Sequence, residues 1–237
     1  MNTLRISHAT ALLLGSALSL PLQAQITKEL ALRSSFSLSA IQTRPQGALA
    51  HNIGFGYGGN AAYLFRLDKR GIVSLRADVG VVAYGNESKR AALSETVGDR
   101  VQVNVRTVNY IVPVSFGPEL MWPTGTIRPY VNAGFARQHF FTESNVEPTG
   151  DYSWFMSTTN QSDNSDSWTA GGGIYIPVTA GKVKTQIDLG VQYLNGGTAR
   201  YLAPGGIADL PGGRVTISPL ESATHMLIVR LGARVGL

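Results

Sequence analysis

The chain contains no cysteine among its 237 residues, so neither disulfides nor thiolate metal sites are open to it. Charge is scarce as well, at 15% of residues against about 25% in soluble domains. Long apolar runs are missing beyond the N-terminus. Although 43% of residues are hydrophobic, no later stretch approaches the roughly 20 apolar residues of a spanning helix. No phosphate loop or dinucleotide fingerprint follows a suitable strand, so no cofactor is expected. The modest basic excess is scattered along the chain, which argues against a nucleic-acid partner.

What is present is alternation. In His225 to Leu237, one set of alternate residues is His225, Leu227, Val229, Leu231, Ala233, Val235 and Leu237. The other is Met226, Ile228, Arg230, Gly232, Arg234 and Gly236. Side chains on a strand alternate faces, so one face is apolar and the other mixes glycine with arginine. A helical period would drop Arg230 and Arg234 among the leucines and valines. Similar segments cover Leu30 to Ala40, His51 to Leu67, Ile72 to Tyr84, Val101 to Leu120, Arg128 to Phe141, Trp168 to Val178 and Val183 to Tyr193. The phase slips near Arg106 and Thr107, where a bulge is expected. Pro113 and Pro177 cannot donate to a ladder, so each is expected near a strand end or bulge.

The links between segments alternate in length. Asp68–Gly71, Met121–Ile127 and about Thr179–Lys182 are short. Ile41–Ala50, Gly85–Arg100, Thr142–Ser167 and Leu194 to about Ser222 are long and polar. Short turns at one end and long loops at the other are the pattern of a transmembrane barrel, with turns periplasmic and loops extracellular. The expected fold is all-β: an eight-stranded antiparallel up-and-down transmembrane β-barrel. Residues 1–24 read as a secretory signal, with Arg5 ahead of a short apolar core and Ala24 at the cleavage site. Residues 25–237 form the barrel domain. Losing Arg5 leaves 19 basic against 15 acidic residues, a charge of +4.

A soluble lipocalin-like barrel would also alternate, with its apolar face inside. The composition of the second face decides between them. It is rich in glycine rather than lysine, glutamate and threonine: Gly54, Gly56, Gly58, Gly80, Gly117, Gly134, Gly171, Gly173, Gly190, Gly232 and Gly236. Glycine marks close approach, which suits a crowded eight-stranded lumen. Among the glycines stand Arg33, Arg66, Arg76, Asp78, Glu119, Lys184, Asp188, Arg230 and Arg234. These are expected to pair across the lumen, because an unpaired buried charge is too costly. Tyr63, Phe65, Phe116 and Trp122 at one end, and Trp168 and Phe141 at the other, fit two interfacial girdles.

The chain resembles the small eight-stranded outer-membrane barrels, the OmpA/OmpX-like group and the related PorT-like "porin family" proteins. The resemblance rests on the signal segment, on Tyr110 to Gly117 followed by a turn and Arg128 to Gly134, and on the closing strand. In that family a proline within the strand before a turn recurs, as at Pro113, and the last residue is usually phenylalanine, where this chain has Leu237. The resemblance implies a monomer in a Gram-negative outer membrane. It implies contact with its lipid, lipopolysaccharide included, and with the barrel assembly machinery through the last strand.

Three function classes remain. The first is a structural or interaction barrel whose long loops contact an extracellular partner, and no enzyme activity is expected of it. The second is a narrow channel for small solutes. The third is a lipid A-modifying enzyme, for which His139, Glu143 and Ser144 supply the residue types. His225 falls on the apolar face. Asp151, Asp163 and Asp166 could hold calcium weakly, but their Ser, Thr and Asn neighbours read as a solvated loop, and no metal site is assigned.

Overall fold

The computed structural model describes residues 33–92, 102–148, 156–180, 183–210 and 214–236. The signal segment, Leu30, Leu32, Asp151 and Leu237 lie outside them. In chain order the elements are β1 (Ser34–Pro45), α1 (Ala48–Asn52), β2 (Gly56–Arg66), β3 (Val73–Ala92), β4 (Gln102–Met121), β5 (Arg128–Pro148) and β6 (Met156–Ala180). They continue as β7 (Val183–Gly196), β8 (Thr198–Tyr201), β9 (Ile207–Leu210), β10 (Arg214–Ile217), β11 (Leu220–Ala223) and β12 (Met226–Gly236). Strands β1 to β7 and β12 form one closed barrel in which every neighbour is antiparallel. β12 closes it, pairing with β1 from Ser35–Gly236 to Pro45–Met226 and with β7 on its other edge.

The apolar half of each zigzag points outward. Leu38, Val79, Val114, Val131, Val191, Val229 and Leu231 are exposed, and Phe135 is 82% exposed. Arg230 and Arg234, on the opposite face of β12, are buried. This is the reverse of a soluble barrel, whose interior takes the apolar residues.

Four expectations need correction. The link 85–100 is strand as far as Ala92, where β3 ends, and the link 142–167 is mostly strand, since β5 reaches Pro148 and β6 starts at Met156. Beyond an apolar belt both faces are polar, so the alternation that announces a strand disappears. The link Ile41–Ala50 holds the end of β1 and the start of α1. A five-residue helix is too short to show a helical period. Register shifts lie between Ala83 and Gly85, where β3 pairs with β4, and between Thr142 and Glu143, where β5 pairs with β6, while β4 pairs with β5 without a slip through Arg106 and Thr107. Pro113 sits mid-strand, while Pro177 lies near the end of β6. The β3–β4 ladder passes from Val79–Val114 to Val82–Ile111, leaving a gap at Pro113 where its missing donor costs no pair.

The loop between β7 and β12 is also structured. β8 pairs with β11, and β9 with β10, so the segment forms one interrupted hairpin. It folds onto the barrel end opposite the short turns. Tyr84 donates to the Leu202 carbonyl at 2.9 Å, and Asn52 of α1 donates to Tyr201 at 2.8 Å. Beneath them Leu49, Ile53, Val82, Ile111, Phe140, Tyr201 and Met226 make one apolar cluster. The tight turn at the other end is held by Asp68, which accepts from the Val73 and Arg70 amides. Those bonds, the Val73 one foremost, hold its pKa below the usual carboxylate value.

α1 is anchored by one wholly buried side chain, Leu49. Leu49→Ala is expected to release it and speed amide exchange at Ile53, which donates to the Leu49 carbonyl at 3.1 Å, by about tenfold or more. Exchange along β12 stays unchanged. Equal acceleration in both would show that the cap and the barrel open together.

Candidate functional site

Arg76 and Asp78 are two residues apart on β3, so both enter the lumen. Glu119 enters from β4, Asp188 from β7, and Arg230 and Arg234 from β12. Gly232 between the two arginines leaves room for β1: a Cβ there would lie 2.1 Å from Ser39 Oγ. Gly190 does the same for the cluster, since its Cβ would meet Tyr130 Oη at 2.4 Å and Arg230 Nε at 2.6 Å.

Arg76 bridges two carboxylates. Its Nε and Nη2 donate to Asp78 at 2.8 and 2.9 Å, and its Nη1 donates to Glu119 at 2.8 Å. Arg234 Nη1 lies 3.5 Å from the other Glu119 oxygen. Asp188 accepts from Tyr130 at 2.6 Å, and its second oxygen faces Arg230 at 3.7 Å and Arg76 at 3.9 Å. That oxygen has no hydrogen bond of its own and is held by the charge of the two guanidinium groups alone. Tyr175 donates to both Glu119 oxygens at 3.1 Å and stacks on Tyr130 with centroids 4.3 Å apart. Arg230 and Arg234 lie over the Tyr130 and Tyr175 rings at 5.7 and 4.7 Å. Three arginines thus meet three carboxylates, and the cluster is neutral as a unit. Glu119 and Asp188 are 0% exposed and Arg76 is 2% exposed.

The other three charges of the sequence pattern lie elsewhere. Arg66 and Lys184 line a cavity at the short-turn mouth, and Arg33 stands just before β1. Tyr130 and Tyr175 were not singled out in the sequence, although both fall on the lumen phase of their strands. Only the pairing registers bring them together.

The catalytic set does not assemble. His139 and Ser144 are five residues apart on β5, so they leave opposite faces. His139 bonds Asn164 at 3.0 Å and stacks on Phe141, while Ser144 bonds Thr107 and Asn160. Glu143 accepts from Ser157 on the outer face. His225 stacks with Tyr193 just before β12. Asp163 and Asp166 lie in β6 on opposite faces. Asp163 accepts from the backbone amides of Asn164 and Arg200, and Asp166 lies 3.7 Å from Arg137.

The chain is a closed eight-stranded barrel turned inside out. No protein-family model matches it, and no curated protein matches it in sequence. Among solved structures, Neisserial surface protein A aligns at 12% identity over 86% of this chain and 97% of its own, with a TM-score of 0.43. Ail, the attachment invasion locus protein of Yersinia pestis, aligns at 14% identity over 86% and 97%, with a TM-score of 0.39. The N-terminal β-barrel domain of Pseudomonas aeruginosa OprF aligns at 17% identity over 84% and 96%, with a TM-score of 0.34. The architecture rests on this chain's own strand pairing.

Glu119→Gln keeps the shape of the side chain and leaves the cluster with one uncompensated positive charge. The expected loss of stability is about 3–5 kcal/mol, read from urea unfolding of the folded barrel. Removing the partner as well, in Glu119→Gln with Arg234→Met, should restore a good part of it, because neutrality returns. Equal losses in the single and double variants would mean the charges are not coupled.

Proposed function

We propose that the chain is an integral outer-membrane barrel with a non-conducting lumen that acts through the part projecting beyond the bilayer. The observation that carries this reading is the closed lumen, blocked twice. The charge cluster and the Tyr130–Tyr175 stack fill it toward the short turns. The apolar cluster under α1 and the β8–β11 hairpin fills the other end. A channel needs a continuous water path, and this one is crossed by side chains held at hydrogen-bond distance. Mixed charges alone would be compatible with either, but mutual pairing removes the sites at which a passing ion would exchange.

Strand length supports the second half of the proposal. A tilted strand crosses a bilayer in about 9–11 residues, whereas β3, β4, β5 and β6 have 20, 20, 21 and 25. About half of each therefore stands clear of lipid as a rigid four-stranded wall. On the inner side of that wall is a cleft of about 320 Å³ lined by Val105, Val146, Met156, Ile207 and Val215. Lys89 closes one side by donating to the Ile207 carbonyl at 3.1 Å. Recognition sites are carried by elements that a rigid scaffold presents, and an apolar cleft on such a wall fits the apolar side chain of an extracellular partner. The apolar belt then contacts outer-membrane lipid, lipopolysaccharide included, and β12 engages the assembly machinery. The chain acts as a monomer, without catalysis.

Reconstituted in planar bilayers, the protein is expected to give no steady conductance, and a stable open level would sink the plugged-lumen reading. Leu231→Arg places a charge in the outward belt and should destabilise the barrel by about 2–4 kcal/mol in lipid. A neutral outcome would remove the membrane assignment.

A further inference from the structure

The outward belt is not evenly filled. Across β1, β2 and β3 it holds a groove of about 530 Å³ lined by Leu38, Ala40, Gly59, Ala61, Val79 and Val81. Ala40 pairs with Gly59 and Leu38 with Ala61, so the floor is two strands wide. Val79 and Val81 on β3 make one wall, and Leu38, 60% exposed, rises at the end toward the short turns. Gly59 is not required by the fold. A Cβ there would come no nearer than 3.9 Å to its neighbours, at the Ser39 carbonyl, whereas one on Gly58 would lie 1.8 Å from the Val81 carbonyl. Glycine weakens a strand and marks the close approach of another group. At Gly59 no described residue makes that approach, and the space opens to whatever surrounds the barrel.

The other end of the groove is polar. Gln42 follows Ala40 on the same face of β1. Its Nε2 donates to Tyr57 Oη at 3.2 Å, one outward pair beyond Ala40–Gly59. Arg44, next on that face, is exposed and holds its guanidinium 5.8 Å from the Phe55 ring centroid. Tyr57 is near the start of β2 and Arg44 near the end of β1, so both stand at the end opposite the Asp68 turn. The groove thus runs from a cation, past two hydrogen-bonding groups, onto an apolar floor. From Gln42 to Leu38 it covers about 13 Å of strand, within the roughly 15 Å of one leaflet. Against lipid, small residues favour a neighbour that packs closely. Strand axes about 5 Å apart leave a floor too narrow for a helix about 10 Å across, and wide enough for one polymethylene chain. A guanidinium at its head suits a phosphate.

We infer that this groove is a specific lipid site: one acyl chain of lipopolysaccharide lies over Gly59, its linking ester or amide meets Gln42 and Tyr57, and a lipid A phosphate meets Arg44. The inference rests on the outer-membrane orientation proposed above, which sets the polar end of the groove at the outer surface, where lipopolysaccharide is the phosphorylated lipid. It adds a fixed place on the belt to a surface that elsewhere exchanges lipid freely.

The test uses the full barrel folded in an uncharged detergent, with native mass spectrometry counting the lipid it retains. Bisphosphorylated lipid A is titrated, and dephosphorylated lipid A and phosphatidylglycerol form two further arms. The expected result is saturable retention of one lipid A per barrel, with the other two held at least about tenfold more weakly. Gly59→Leu, whose Cβ has room, fills the groove and should weaken lipid A binding at least about tenfold while the barrel stays folded. Arg44→Gln should bring the affinity for the phosphorylated form down toward that of the dephosphorylated one. Ala133→Leu, at an exposed position of β5, should change neither. The inference is overturned if lipid A is not retained saturably, if phosphatidylglycerol is retained equally well, or if folded Gly59→Leu binds as the parent does. A neutral Leu231→Arg in lipid would instead sink the membrane reading on which this site stands.

Discussion

Everything in this molecule answers to one constraint: three guanidinium groups and three carboxylates must share a cylinder in which all six are buried. Each charge alone would be prohibitive in such a place, and only mutual pairing makes the set tolerable. Satisfying it fixes other choices. The strands must hold Arg76, Asp78, Glu119, Asp188, Arg230 and Arg234 at one level, so β3, β4, β7 and β12 are tied to one another through side chains across the lumen as well as through the ladders. Glycine must stand beside the large groups, as at Gly190 and Gly232. With polar matter inside, the apolar half of every zigzag has only the outside left.

The two mouths solve different problems. At the long end the barrel is stoppered by hydrophobic burial: Leu49 from α1 and Tyr201 from β8 sit on Phe140, Met226 and Val82. Two tethers reach that stopper, from Asn52 to Tyr201 and from Tyr84 to the Leu202 carbonyl. At the short-turn end Arg66, Arg70, Arg128 and Lys184 line a small cavity. The neutral core lies between, and Arg234, which also lines that cavity, is paired with Glu119.

The barrel was legible in the sequence because a strand facing lipid on one side and a packed lumen on the other must alternate, and β12 does so over its whole length. The same logic explains what was missed. Where β6 leaves the belt, at Met156 to Asn164, neither face is buried, and its serines, threonines and asparagines read as a loop. α1 is too short for a period, and its one anchor, Leu49, looks unremarkable in a polar link. The charged residues of the lumen were readable as a face but not as a cluster. Arg66 and Lys184 share the phase of Arg76 and Asp188, yet stand at the mouth, because phase gives the side of the sheet and not the height along the barrel. The tyrosine pair was illegible for a related reason: ring stacking between β5 and β6 depends on register, which one-dimensional alternation does not specify.

The absence of cysteine makes the central claim directly measurable. Single cysteines introduced at Leu227, Val229, Leu231 and Ala233, each carrying a nitroxide in the protein reconstituted into lipid, report what surrounds the outer face of β12. Relaxation by oxygen, which concentrates in hydrocarbon, should be strong at Val229 and Leu231, and relaxation by a water-soluble nickel chelate weak. Strong nickel relaxation with weak oxygen relaxation at those two positions would place water where this account places lipid, and would contradict it.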